Sequence, residues 1–141
     1  METRKVGLWK WLLIFLFWIL TGIGVSAEET VTVRLDGIQD YDQAKQVYEM
    51  VNQERAAAGL NTLVWDAQLT QDAMQRAAEL AVYYSHTRPD GTRCFSAVTN
   101  YSIGYAYGEN IAVYQTDAAN VMNAWMNSPG HKANILDTRY R

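Results

Sequence analysis

One cysteine stands in 141 residues. Cys94 has no partner in its own chain, so an internal disulfide is excluded and the fold must be held by core packing. Cys94 lies well inside the chain, which excludes a lipid-attachment role at a processed N-terminus. A small buried hydrophobe, an intermolecular bridge and a metal contact all remain open for it. Histidines are nearly as scarce, with only His86 and His131 present. No H-E-x-x-H pair occurs and no serine sits in a G-x-S-x-G elbow, which removes the local signatures of zincins and α/β-hydrolases. Repeats and low-complexity tracts are absent. Positive charge is also short, with 12 Lys and Arg against 15 Asp and Glu. An acidic balance argues against nucleic acid as a partner and against a polybasic membrane-surface role.

The N-terminus reads as a targeting segment. Arg4, Lys5 and Lys10 precede the apolar run W-L-L-I-F-L-F-W-I-L at 11–20, and Val25-Ser26-Ala27 has the small-residue pattern of a signal-peptidase site. Residues 1–27 are therefore expected to be a signal peptide. The alternative is an uncleaved anchor, since the run at 8–25 is nearly long enough to span a bilayer. In both readings the remainder lies outside the cytoplasm, secreted or at the cell envelope, and membrane contact is confined to this segment. Removal of 1–27 leaves nine basic and fourteen acidic residues, a formal charge of −5. What remains, with a whole-chain hydrophobic content of 49%, suits one packed domain.

Residues 28–40 read as a linker, despite the alternation of Val31, Val33 and Leu35. The i, i+3, i+4 spacing of Ala44, Val47, Tyr48, Val51 and Arg55 predicts a helix over 41–58, with Arg55 snorkelling at its edge. Asp40 or Asp42 can cap it, and Gly59 ends it. Leu60, Leu63, Val64 and Trp65 form an apolar connector expected to fold back onto the core. Asp66 is read as the N-cap of a second helix over 67–84, whose face carries Leu69, Ala73, Arg76 or Ala77, Leu80 and Tyr84. His86 follows at the helix exit, and Arg88-Pro89-Asp90-Gly91 suits a type I turn. Residues 92–107 form a long loop rich in Ser, Thr, Tyr and Gly. A third helix begins near Thr116, its expected cap, with Ala118, Val121, Met122 and Trp125 as its stripe. Ser128 then caps a last helix with Pro129 at its first position. His131 sits in the first turn, where partial positive charge disfavours imidazolium and leaves a lone pair for a metal or a hydrogen bond.

Four stretches now stand in order. They are V-x-x-x-V-N-x-x-R at 47–55 with Gly59-Leu60, S-H-T-R-P-D-G at 85–91, G-E-N-I at 108–111, and W-M-N-S-P-G-H-x-x-N-I-L at 125–136. Together they resemble the CAP superfamily, also called SCP-like, of cysteine-rich secretory, antigen 5 and pathogenesis-related 1 proteins. The likeness is nearest to the bacterial secreted branch and spans 41–141. It implies an α+β fold, an α-β-α sandwich that is helix-dominated here because the C-terminal strands of the family pattern do not follow Leu136. The chain is accordingly expected to be a C-terminally incomplete domain, a fragment of poor stability. The resemblance also implies a cleft with a divalent-metal site, zinc in several members, carried onto His86, Glu109 and His131. Ser128 stands where many members have a second glutamate. By their chemistry alone, two neutral imidazoles and a carboxylate suit zinc with water in the open position, and they suit equally a mutually hydrogen-bonded cleft. Asn110 and Asn134 are expected to tie loop backbones, and Trp125 and Tyr84 to pack the core.

Three functions compete. The first is a secreted, non-catalytic binding module of the extracellular space or cell envelope, taking a metal, a lipid, a peptide or an envelope component, with no catalytic residue. The second is a metal-assisted, protease-like hydrolase with Glu109 as ligand or base. A Cys94–His dyad would be a hydrolase too, but nothing in the sequence orients it. The third is adhesion through the tyrosine-rich loop at 101–107.

Overall fold

The structure is a computed structural model that describes residues 31–102 and 105–141. The expected signal peptide lies outside the described residues. Among the described residues four α-helices follow one another: α1 at Tyr41–Ala57, α2 at Ala67–Val82, α3 at Ala118–Met126 and α4 at Pro129–Ile135, with a 3₁₀ turn at Cys94–Ala97. Residues 31–40 form no strand. Among the described residues β pairing is limited to one antiparallel bridge, Thr87 with Arg93. The domain is thus helix-dominated. No helix among the described residues is long and apolar enough to cross a membrane.

Three of these four helices begin where a carboxylate can hold free N–H groups. Asp40, rather than Asp42, caps α1 by accepting from the Gln43 amide at 2.9 Å. Asp66 does the same for α2 through Leu69 at 2.8 Å. For α3 the cap is Asp117, one residue beyond the expected Thr116, and it accepts from Asn120 at 2.8 Å. A charged acceptor interacts better with the helix dipole than a hydroxyl does. Ser128 holds the N-cap position of α4 but makes no side-chain cap bond. Pro129, at the first helical position, carries no N–H and so leaves one orphan donor fewer at this end. Gly59, at φ 71°, closes α1. Leu60 N–H reaches the Arg55 carbonyl and Gly59 N–H the Ala56 carbonyl, the paired bonds of a Schellman ending.

α1 packs on α3, α3 on α4, and α2 on the 3₁₀ turn. The apolar residues buried at their meeting points are Ile111, Ala118, Met122 and Ile135. The connector after α1 folds back only in part: Leu63 and Trp65 are held against α1, while Val64 is 80% exposed. Asn52 brackets Leu63 through both its amide and its carbonyl, Tyr48 donates to the same carbonyl, and Trp65 meets Tyr48 edge-on. Arg55 does not snorkel. It is 1% exposed, and its guanidinium is spent on backbone carbonyls. The α2 stripe departs from expectation in part: Arg76 is buried on the expected face, but Asp72, off that face, is equally deep, and Leu69 is 47% exposed. Leu69, Ala73, Ala77 and Leu80 instead line an open apolar groove of about 840 Å³, together with Phe95, Val98 and Ile111.

Candidate functional site

His86 lies four residues past the end of α2, on a loop pinned by its own backbone. The Cys94 amide donates to the His86 carbonyl at 3.1 Å, and Gly91 N–H closes the expected turn onto the Arg88 carbonyl at 2.9 Å. The imidazole meets the carboxylate of the site directly: His86 Nδ1 and Glu109 Oε2 are 2.7 Å apart. His131 comes from the first turn of α4. His86, Glu109 and His131 line one open cleft of about 500 Å³.

Asn110 and Asn134 join the walls of this cleft. Asn110 Nδ2 donates to the His131 carbonyl at 3.2 Å, and Asn134 Nδ2 donates to Asn110 Oδ1 at 2.9 Å. Tyr140 hydroxyl donates to Asn134 Oδ1 at 2.8 Å. The expected tie of these asparagines to backbone therefore holds for Asn110. Asn134 acts through side chains instead. Trp125 Nε1 and the Tyr84 hydroxyl both donate to the Ile111 carbonyl, each at 3.2 Å. Tyr84 does so from the surface, at 48% exposure, rather than from the core. α2 ends at Val82, two residues short of the expected limit, so Tyr84 leaves the helical stripe.

Behind His86 runs a ladder of alternating charge that sequence reasoning missed. Glu109 Oε1 accepts from Arg76 Nε at 2.9 Å. Arg76 Nη1 donates to Glu79 Oε2 at 2.7 Å, and Arg88 Nη2 to Glu79 Oε1 at 2.6 Å. Arg88 Nη1 reaches on to Ser96 Oγ at 3.1 Å. The hydrogen bonds from Arg88 dominate at Glu79, outweigh burial with the help of Arg76, and hold its pKa at about 2. Burial works against the Arg76 charge, but bonds to Glu109 and Glu79 outweigh it and keep its pKa above the usual arginine value. Cys94 is half-buried beside this ladder. Burial, reinforced by the Glu109 charge, pushes its thiol up and away from nucleophilic thiolate. The signal for Arg76 was present, since it interrupts the apolar stripe of α2 with Glu79 one turn on.

Both oxygens of Glu109 are thus engaged. Among the described residues, no group of three or more His, Cys, Asp or Glu side chains is arranged to hold a metal ion. The tyrosine-rich loop packs on itself, with the Tyr101 and Tyr107 rings stacked at 4.7 Å and Phe95 tilted against Tyr107 at 5.8 Å.

The chain is similar to a Bacillus subtilis (strain 168) protein named Uncharacterized protein YkwD. The two are 33% identical over 114 residues, covering 79% of this chain and 44% of the relative. The chain therefore spans less than half the length of that relative. No solved structure matches it. The family model described as CAP: Cysteine-rich secretory protein family matches residues 48–141, the span that holds every residue of the cleft. The chain belongs to the CAP family of cysteine-rich secretory proteins.

Proposed function

We propose that this is a secreted, non-catalytic CAP binding module whose cleft takes a divalent metal, with His86 and His131 as nitrogen donors and Glu109 as the carboxylate that orients His86. The observation that carries it is the 2.7 Å contact of His86 Nδ1 with Glu109, on a cleft that His131 also lines. A ring held through Nδ1 keeps Nε2 for a cation, the arrangement in which a ligating histidine gives its other nitrogen to a carboxylate. The donor set is borderline-soft imidazole, which suits zinc. Two protein donors leave open positions for water and for an extracellular ligand. An acyl chain would find apolar cover in the groove along Leu69, Ala73 and Phe95. Secretion rests on the N-terminal pattern. The α-β-α sandwich is the architecture proposed for the domain. Glu109, bonded to Arg76 through Oε1 and to His86 through Oε2, is placed to orient His86, which favours the binding reading over a hydrolase.

Zinc titration of the full chain tests the metal reading. Binding should be lost in His86→Ala and in His131→Ala while the helical signal persists. Unchanged affinity in both variants would sink it.

A further inference from the structure

Arg76 is buried, and its planar head reaches three groups at once. Nε donates to Glu109 Oε1 at 2.9 Å, Nη2 to the Ser85 carbonyl at 3.0 Å, and Nη1 to Glu79 Oε2 at 2.7 Å. Ser85 immediately precedes His86. One guanidinium therefore holds both sides of the His86–Glu109 contact: the backbone that leads into the imidazole, and the carboxylate that faces it. With Oε1 committed to Arg76, Glu109 turns Oε2 to His86. A carboxylate can only accept, so a neutral His86 carries its proton on Nδ1 and its lone pair on Nε2.

We propose that Arg76 is the positioning residue of this cleft, fixing Glu109 and Ser85 so that His86 is held as the Nδ1–H tautomer with Nε2 presented to a divalent cation. Glu79 and Arg88 brace it in turn. Glu79 takes the third edge of the Arg76 fork, and Arg88 holds Glu79 through both Nε and Nη2. A lysine at 76 would keep the charge but lose the fixed fork that serves Glu109, Ser85 and Glu79 together. The part concerning the cation rests on the proposed metal reading. The part concerning the tautomer does not.

The test is ¹⁵N NMR of the His86 ring in the metal-free full chain, about two pH units above the ordinary histidine pKa of roughly 6.5. Only two histidines are present, so comparison with His131→Ala assigns the signals. Wild-type His86 should show a protonated Nδ1 and a bare Nε2. In Arg76→Lys and Arg76→Gln the balance should shift to the Nε2–H form that free imidazole side chains prefer. Zinc affinity should fall about 10–100-fold, the usual effect of losing an outer-shell partner. A wild-type His86 in the Nε2–H form overturns the proposal without any variant needing to fold. So does a folded Arg76→Lys chain with unchanged tautomer and zinc affinity. If the wild type binds no zinc, the metal reading fails and the tautomer alone decides the role of Arg76.

Discussion

Arg55 Nη1 donates to the Ile135 carbonyl at 2.8 Å, across 80 residues of sequence. The same guanidinium donates to the carbonyls of Asn61, Asp137 and Tyr140 at 2.8–3.0 Å. Ile135 is the last residue of α4, where unpaired carbonyls collect negative partial charge and a cation is favoured. Tyr140, held in this way, reaches Asn134, which reaches Asn110 beside Glu109. α1 thereby supports the cleft from a distance, without any side chain in it.

Replacing Arg55 with Met would strand the buried Ile135 carbonyl and take the same donor from three part-buried ones. Each unsatisfied group costs about 1–3 kcal/mol, and the effects do not add fully. A loss of about 3–5 kcal/mol is expected, enough to unfold a marginal domain. Arg55→Lys should recover only part of it, because an ammonium cannot reach four carbonyls in fixed directions. Urea unfolding of the full chain measures both. A change below about 1 kcal/mol for Arg55→Met would mean that water serves these carbonyls instead.

Acid should weaken the ladder behind His86 in a defined window. The Glu79 pKa of about 2 in the fold lies below its ordinary 4.5, chiefly through Arg88. As pH falls, the unfolded chain takes up the proton first. The contribution of Glu79 is therefore complete above about pH 4.5 and is lost on descent toward pH 2. Glu79→Gln should cost about 2–3 kcal/mol at pH 7, somewhat less than breaking a fully buried pair. Its deficit against wild type should shrink steadily between pH 4.5 and pH 2. Thermal melts across that range check the sign, and a deficit that grows on acidification would contradict it.

Asp72 anchors the aromatic loop to α2. It accepts from the Thr99 amide at 2.9 Å and from the Thr99 hydroxyl at 2.7 Å, with Gln68 beside it. These bonds, led by the Thr99 hydroxyl, hold its carboxyl below the usual aspartate range. Asp72→Ala should free the segment around Thr99 and Tyr101 while leaving α1, α3 and α4 packed. Hydrogen exchange would then quicken at 98–102 and stay unchanged in α3. Uniform quickening would show instead that Asp72 holds the whole domain together.

Local physics was legible in the sequence, and remote pairing was not. Asp40, Asp66 and Gly59 act within a few residues of themselves, so their roles as caps and stop could be read directly. The turn at Arg88–Gly91 is equally local. The meeting of His86 with Glu109 followed from a family resemblance, not from spacing. Arg55 and Arg76 were misjudged for one shared reason. Periodicity placed both on helix stripes, but a stripe position does not reveal whether it faces apolar side chains or a ring of acceptors. Those acceptors come from residues 61 to 140 for Arg55, and from two segments after α2 for Arg76. For α2 the period itself was right, but an apolar pattern does not specify what covers it. The stripe lines an open groove among the described residues.

Gly108 shows why a glycine begins the G-E-N stretch. A Cβ placed there would overlap the Asn134 side-chain oxygen and lie 2.5 Å from the Tyr140 hydroxyl, where contacts need well over 3 Å. Asn134 cannot swing aside cheaply, because its amide is committed to Asn110 and its oxygen to Tyr140. Gly108→Ala is therefore expected to destabilise by about 1–3 kcal/mol through overpacking. The strain should also push Glu109, the next residue, off His86. Asn134→Ala alone loses two side-chain partners and should be destabilising too. In the double variant the new methyl occupies the space that Asn134 gives up, so the combined loss should be smaller than the two single losses together. Neighbours in one network commonly couple by about 0.5–3 kcal/mol, which a urea double-mutant cycle resolves. Strict additivity would mean that the two residues do not compete for the same space, and that the Tyr140 hydroxyl rather than Asn134 excludes a side chain at 108.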